Sequence, residues 1–406
     1  MSAAPAPRWL SIVGIGEDGL AALSPAARGL IAQAALLVGG KRHLAMVPPG
    51  AGQRLPWPSP IEAAFPQILA RRGTPVCVLA SGDPFCFGIG SSLAAQVPMA
   101  EMLCLPAPAA FSLAASRLGW ALQDCALVSL HGRPLECILP HLQPGRRVLA
   151  LSWDGTTPGA LAAVLCARGM GGTRLHVLEA MGGPREQVRS FAAHAPVPHS
   201  IDPLNLIALE VVAAPGARLL PLTAGLPDDW FEHDGQITKR DIRVLTLAAL
   251  APCRGQLLWD IGAGSGSVSI EWMLRDPANR AIALERDPAR AARIARNATS
   301  LGVPGLRIAT GSALAHLASL PAPDAIFIGG GAGDRALVDA ARHALRPGTR
   351  LVINAVTLET QAALTALYTQ HGGALKQIQI AHAGPVGRLH GWRAAMPVVQ
   401  WVFEQP

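Results

Sequence analysis

The 406-residue sequence has no window approaching the ~18 uninterrupted apolar residues that a membrane-spanning helix needs. Yet half of its residues are hydrophobic and its mean hydropathy is +0.31; alanine supplies that value. Met1-Ser-Ala-Ala-Pro-Ala-Pro-Arg8 lacks a charged stretch followed by an apolar one, so no secretory signal is read there and the expected location is the cytoplasm. None of the seven cysteines forms a Cys-x-x-Cys pair, and their number is odd. This argues against a disulfide frame or a metal site and for reduced, mostly buried thiols. Charge is not concentrated either. The net +7 comes from 15 basic and 12 acidic residues up to Val212, and 19 and 15 beyond it, whereas nucleic-acid binding leaves a basic patch or stripe. A small polyanionic ligand suits such an excess, as does an ordinary solvated surface.

A chain of this length fits two domains. Ala213-Ala-Pro-Gly-Ala-Arg-Leu-Leu-Pro-Leu-Thr-Ala-Gly225 carries two prolines and two glycines between two well-patterned regions and reads as a linker, leaving domains at 1–212 and 226–406. Before it, short β-rich runs near residues 10–16, 75–80, 102–105, 126–130, 147–153, 173–179 and 204–212 alternate with helix-like segments, an α/β pattern. After it, strand-like runs at 256–260, 281–285, 306–310, 324–329 and 349–356 alternate with helices, and 374–382 with 397–404 follow as a terminal pair. Five alternations plus a final hairpin suit a seven-stranded sheet. Asp287-Pro288 supplies an N-cap and an N1 proline, and Pro347-Gly348 a stop. Arg290, Arg293 and Arg296 share one helical face and read as a solvated stripe.

Asp260-Ile-Gly-Ala-Gly-Ser-Gly-Ser267, directly after Gln256-Leu-Leu-Trp259, reads as strand, glycine turn and helix. Gly262, Gly264 and Gly266 let the backbone turn sharply against a ligand, with Ala263 and Ser265 between them, and Asp260 can accept hydrogen bonds from a ligand amine. A dinucleotide fingerprint needs glycine where Ser267 stands; the spacing favours S-adenosylmethionine. Glu285 ends the next strand, where a ribose diol is gripped. The segments at Thr238, at Gly311-Ser-Ala313 and at Gly329-Gly330 complete this candidate cofactor site. This half reads as a methyltransferase.

Val13-Gly-Ile-Gly-Glu-Asp-Gly19 also matches a dinucleotide spacing. However, the next helix begins five residues later at Ser24-Pro25, and the next strand, Ala35–Val38, ends in Gly39-Gly40-Lys41 rather than an acid. NAD is therefore not expected. Ser81-Gly-Asp-Pro84 reads equally as a turn or as a ligand loop at the C-terminal end of a strand.

Taken together, Val13–Gly16, Ser81–Pro84, Pro106–Phe111 and Ser129-Leu-His-Gly-Arg133 resemble the tetrapyrrole (corrin/porphyrin) methylase family, in its precorrin-6 branch. Gly225–Asp229, Gly235–Arg243 and the 260–267 loop resemble the class I methyltransferase that partners that branch. The resemblance implies an N-terminal domain of two α/β subdomains and a C-terminal Rossmann-like seven-stranded sheet. It implies methylation of precorrin-6B at carbons 5 and 15 with two S-adenosylmethionine, loss of carbon dioxide from the ring C acetate to give precorrin-8X, a place in cobalamin biosynthesis, and a homo-oligomer. It further implies a second cofactor site in the N-terminal half at Ser81, Gly82, Asp83, Ala109, Ala110, Met181 and Asn205. This chain departs from the family at Pro106-Ala-Pro-Ala-Ala110, where relatives show a proline-glycine turn followed by hydroxyl residues.

Methyl transfer to an electron-rich carbon needs in-line approach and water exclusion, so no catalytic triad is expected. A cation held against the departing carboxylate stabilises the ground state and slows decarboxylation, so cations should hold the other carboxylates. Lys239, Arg240, Arg243, Arg388, His390 and Arg393, with His131 and Arg133, are the candidates, and a structural role competes for each. Two rival readings are an RNA methyltransferase and a non-catalytic S-adenosylmethionine-binding module. Ile328-Gly-Gly-Gly331 stands where amino-directed nucleic-acid methylases place Asn/Asp-Pro-Pro-aromatic.

Overall fold

The computed structural model describes residues 8–50 and 52–406, so the segment read for a signal lies almost wholly outside the described residues. The chain divides into two compact units, 1–218 and 219–406, and the division lies within the 213–225 stretch.

The first unit holds two five-stranded sheets. Leu10–Ile15 (β1), Leu36–Gly39 (β2), Gln53–Pro56 (β3), Val76–Ser81 (β4) and Met102–Leu105 (β5) run parallel in the order β3-β2-β4-β1-β5. β1 and β4 are apolar on both faces, as a central parallel strand covered on both sides must be. Cys125–Ser129 (β6), Arg147–Leu151 (β7), Arg174–Glu179 (β8), Gln187–Ala192 (β9) and Asn205–Glu210 (β10) form the second, mainly antiparallel sheet, β6-β7-β10-β8-β9. β3 and β9 have no counterpart among the sequence-derived strands. Each is an edge strand with scant burial, so each lacks the apolar periodicity that marks an interior strand.

The second unit is built on one seven-stranded sheet. Leu257–Ile261 (β11), Arg280–Glu285 (β12), Arg307–Thr310 (β13), Ala325–Ile328 (β14), Arg350–Ala355 (β15), Ala374–Ile378 (β16) and Val398–Glu404 (β19) take the order β13-β12-β11-β14-β15-β19-β16. The first five are parallel, and β19 inserts antiparallel between β15 and β16. The expected run 374–382 is two strands. β16 ends at Ile378, and Ala381–Val386 (β17) pairs with Leu389–Ala394 (β18) as a separate hairpin, so residues 385–396 are not a plain connection. Alternation favoured strand across the break, but only pairing partners reveal where one strand stops.

The helix over Pro288–Ser300 starts at the Asp287 cap, whose carboxylate accepts from the Ala289 N–H at 2.8 Å. Its arginines are not a free stripe. Arg290 and Arg293 pair with Asp234, and Arg296 with Glu232; they pin residues 232–234 against the helix. The cysteines also differ from expectation. All seven are free, but only Cys77 is buried; four are half-buried and Cys166 and Cys253 are exposed. Burial pushes the Cys77 thiol up to about 12, which leaves it inert. Among the described residues no helix is long and apolar enough to cross a membrane, and no group of His, Cys, Asp or Glu side chains is placed to hold a metal ion.

Candidate functional site

At the C-terminal ends of β11, β12, β14 and β15 a cavity of about 1100 Å³ opens, lined by the glycine turns and by the 235–242 segment. Ligands bind at this edge of parallel α/β sheets because loops and helix N-termini converge there. Gly262 has φ +72°, and a Cβ on it would stand 2.8 Å from the Gly330 N and O atoms. The two glycine turns are therefore in backbone contact, and only glycine permits it. Thr238, Gly262, Ala263, Gly264 and Glu285 line the cavity, and Gly311, Ser312, Ala313, Gly329 and Gly330 do so as well.

Three residues placed in this site by sequence are not on the wall. Asp260 is 1% exposed. Its Oδ2 accepts from the Ser269 N–H at 3.1 Å and the Ser269 hydroxyl at 2.6 Å, so it braces the turn from beneath. Its Oδ1 has no partner, and burial pushes the carboxyl up to about 6. Ser265 is fully buried, and its carbonyl accepts from Asn297 Nδ2 at 2.9 Å. Gly266 (φ +75°) turns the chain into the Ser267–Met273 helix against Ile294. Motif spacing cannot tell a residue that lines a turn from one that supports it.

Glu285 is 6% exposed and already accepts two backbone N–H groups, from Gly264 at 2.8 Å and Asp287 at 3.0 Å. A carboxylate offers about four acceptor positions, so two remain for a vicinal diol. With a glycine cradle and an unpartnered carboxylate oxygen beneath it, these residues fit S-adenosylmethionine.

The candidate cations separate into three groups. Lys239 and Arg240 are exposed and line the cavity. Arg243 is fully buried. It donates to Glu271 Oε1 at 2.6 Å, to Asp228 Oδ1 at 3.0 Å and to the carbonyls of Thr238 and Leu226, and Glu271 in turn accepts from the Gly225 and Leu226 N–H groups. Arg243 is thus a clamp on residues 225–238 and not a substrate contact. Its place on the inner face of the Arg240–Leu250 helix puts it there. Arg388, His390 and Arg393 belong to the exposed β17–β18 hairpin and do not line the cavity. The sequence reading missed Arg286, Arg290, Asn354, His382 and Met396, which do. They come from strand ends, the first turn of the Pro288–Ser300 helix and the hairpin base, none of which carries a ligand motif.

In the first unit, Gly82 (φ +57°) donates its N–H to the Ile15 carbonyl at 3.2 Å, and its carbonyl accepts from Ala107 at 3.2 Å. A Cβ on Gly82 would meet Pro108 O at 2.8 Å and Ala109 Cα at 3.0 Å. Ser81 through Asp83 and the 106–110 loop therefore touch backbone to backbone. Asp83 Oδ1 accepts from the Phe85 N–H, an Asx turn. Ala110 and Met181 pack in one apolar cluster with Phe111 and Leu206. Asn205 donates to the carbonyls of Asp154 and Asp202, and its Oδ1 is buried without a partner. His131 stacks on Trp153 at 5.7 Å and Arg133 lies over Phe87 at 5.8 Å; both are exposed.

Residues 10–194 match the family described as tetrapyrrole (corrin/porphyrin) methylases, and residues 229–405 the precorrin methyltransferase domain. The chain is 55% identical over 394 residues to a precorrin-6Y C(5,15)-methyltransferase (decarboxylating) from Sinorhizobium sp., covering 97% of this chain and 95% of that protein. The chain belongs to the decarboxylating precorrin-6Y C(5,15)-methyltransferase family. Two Salmonella typhimurium proteins each match a part of this family member. A cobalt-precorrin-7 C(5)-methyltransferase is 34% identical over 44% of this chain and 88% of its own length. A cobalt-precorrin-6B C(15)-methyltransferase (decarboxylating) is 34% identical over 40% and 85%. As a methyltransferase family it uses S-adenosylmethionine as the methyl donor.

Proposed function

We propose that this chain methylates precorrin-6B (precorrin-6Y) at carbons 5 and 15 and decarboxylates its ring C acetate, giving precorrin-8X, with one cofactor site in each half. The domains in this reading are 1–212 and 226–406 with a linker between them. The carrying observation is the pair of relatives that each cover under half of this chain and most of their own length, one named for carbon 5 and one for carbon 15 with decarboxylation. The N-terminal half takes carbon 5; the C-terminal half takes carbon 15 and the decarboxylation.

The bound cofactor supplies an electrophilic methyl group on a sulfonium. In the C-terminal half the glycine turns let a large planar ring approach, and Glu285 orients the ribose. The apolar side chains of Ile378, Ile380, Met396 and Val398 on the cavity wall would favour a transition state in which a sulfonium charge is being lost over the charged ground state. Lys239 and Arg240, with Arg286, hold peripheral carboxylates at the rim. In the N-terminal half Gly82, Asp83 and Ala109 hold the cofactor through backbone groups, because the 106–110 loop has no hydroxyl to offer. Asn205 Oδ1 supplies an acceptor, and His131 and Arg133 face the macrocycle.

The test is one incubation with labelled cofactor and precorrin substrate, counting methyl groups and carbon dioxide per macrocycle. Gly264→Arg, which fills the C-terminal cradle, should abolish one methylation and the decarboxylation together. Normal carbon dioxide release from that variant refutes the assignment of activities to halves. A wild-type chain that binds cofactor but methylates no macrocycle refutes the function itself.

A further inference from the structure

One polar cluster in the second unit is explained neither by the cofactor nor by the rim cations. Asn354, at the end of β15, lies in register with Gln400 on β19. Gln400 is fully buried, and its Nε2 donates to Asn354 Oδ1 at 2.9 Å. Asn354 Nδ2 donates to Thr246 Oγ1 at 2.8 Å, and Thr246 spends its own hydroxyl hydrogen on the Ile242 carbonyl at 2.8 Å. Because the threonine oxygen can only accept from Asn354, the amide orientation is fixed. The second N–H of Asn354 meets no acceptor among the described residues, while the side chain is half-buried and lines the cavity. Gln400 Oε1 is also buried without a partner. These groups interrupt strands that otherwise bury Leu351, Val352, Ile353, Trp401 and Phe403. An incompletely satisfied polar cluster costs stability that an apolar one does not, a cost that a bound ligand group accepting the free N–H would offset.

Position says which group. β15 lies two strands from β11, about 10 Å across the sheet, so Asn354 lines the cavity to one side of the turn that follows β11. Val356, Ile378, Ile380, Met396 and Val398 surround that end. Lys239, Arg240 and Asp241 are among the charged groups that line the same cavity, and Asp241 is occupied by His382 at 3.4 Å. A neutral donor of fixed direction, set beside apolar side chains, suits decarboxylation, because it aims the carboxylate without the ground-state stabilisation of an ion pair.

We propose that Asn354 is a catalytic residue for decarboxylation, its free N–H holding the acetate that is lost, and that Gln400 and Thr246 are positioning residues acting through it. This rests on the functional reading above. With the carboxylate so held, the bond between the methylene and the carboxyl carbon breaks and its electron pair enters the conjugated ring system. Carbon dioxide departs, and a proton from water at the cavity mouth ends on the methylene carbon, making it a methyl group.

The full-length protein carrying Asn354→Leu, branched at Cγ like asparagine but without a donor, should release carbon dioxide about 10- to 100-fold more slowly, the loss expected when the breaking bond is no longer held in line with the ring system. The ¹³C isotope effect at the carboxyl carbon should rise, because cleavage of that bond becomes slower relative to binding steps. Thr246→Val should reproduce the direction of both changes and Thr246→Ser should restore wild-type values, with cofactor calorimetry reporting an intact site. Release at the wild-type rate, or slower release with an unraised isotope effect, overturns the proposal. If Asn354→Leu loses cofactor binding, the two threonine variants decide, and equal behaviour of both overturns it. A wild-type protein that releases no carbon dioxide instead removes the functional reading, and this proposal with it.

Discussion

Replacing Asp260 by asparagine should make the cofactor-free protein more stable and its C-terminal cofactor site weaker. Burial holds the Asp260 carboxyl at about 6 against an ordinary 3.8, so the folded protein binds this proton more tightly than the unfolded chain does. The sign follows from linkage: between the two values the folded state carries more protons, and stability falls as pH rises through that window. Above pH 6 the ionised, buried group costs about 3 kcal/mol. Asparagine removes that cost while keeping an oxygen for the two Ser269 donors. Its amide nitrogen then takes the place of the unpartnered Oδ1, an unmade hydrogen bond worth ~1 kcal/mol. The net gain at pH 8 is therefore ~2 kcal/mol, and it should shrink by roughly 1 kcal/mol by pH 5, where the wild-type carboxyl is largely protonated in the folded state. Urea unfolding of both proteins at pH 5, 6.5 and 8 measures this, read on whichever transition the substitution moves. Calorimetry should show the variant binding cofactor roughly tenfold or more weakly, because a negative charge beneath a cationic ligand has gone. A stability difference that does not change with pH would refute the reasoning, since it would mean Asp260 is not ionising in a buried environment.

Arg243→Met should destabilise the second unit by about 3–5 kcal/mol, because it strands the buried Glu271 carboxylate without its cation; thermal unfolding reads this, and a change under ~1 kcal/mol would deny the clamp. Gly82→Val forces a branched side chain onto φ +57° and into Pro108 O, and should abolish the carbon 5 methylation while carbon dioxide release continues. Residues 1–218 and 219–406 expressed separately should each bind S-adenosylmethionine by calorimetry; silence from the first fragment refutes its cofactor site.

The sequence by itself determined the two-part α/β organisation, the glycine turns and the cofactor class, because these depend on local properties. Alternating apolar runs, Asp-Pro caps and residues that tolerate positive φ act within a few positions of themselves. Ten residues assigned to the C-terminal cofactor site line the cavity for that reason. Tertiary structure alone decided which polar groups face the ligand. Asp260 and Ser265 share a motif with Gly264 but point into the core, and Arg243 shares a helix turn with Lys239 and Arg240 yet closes on Glu271. It likewise decided that β19 inserts between β15 and β16, which brings Gln400 against Asn354 across 46 residues of chain. Direction and cross-strand register are set by packing between distant segments, and no local pattern in the chain encodes them.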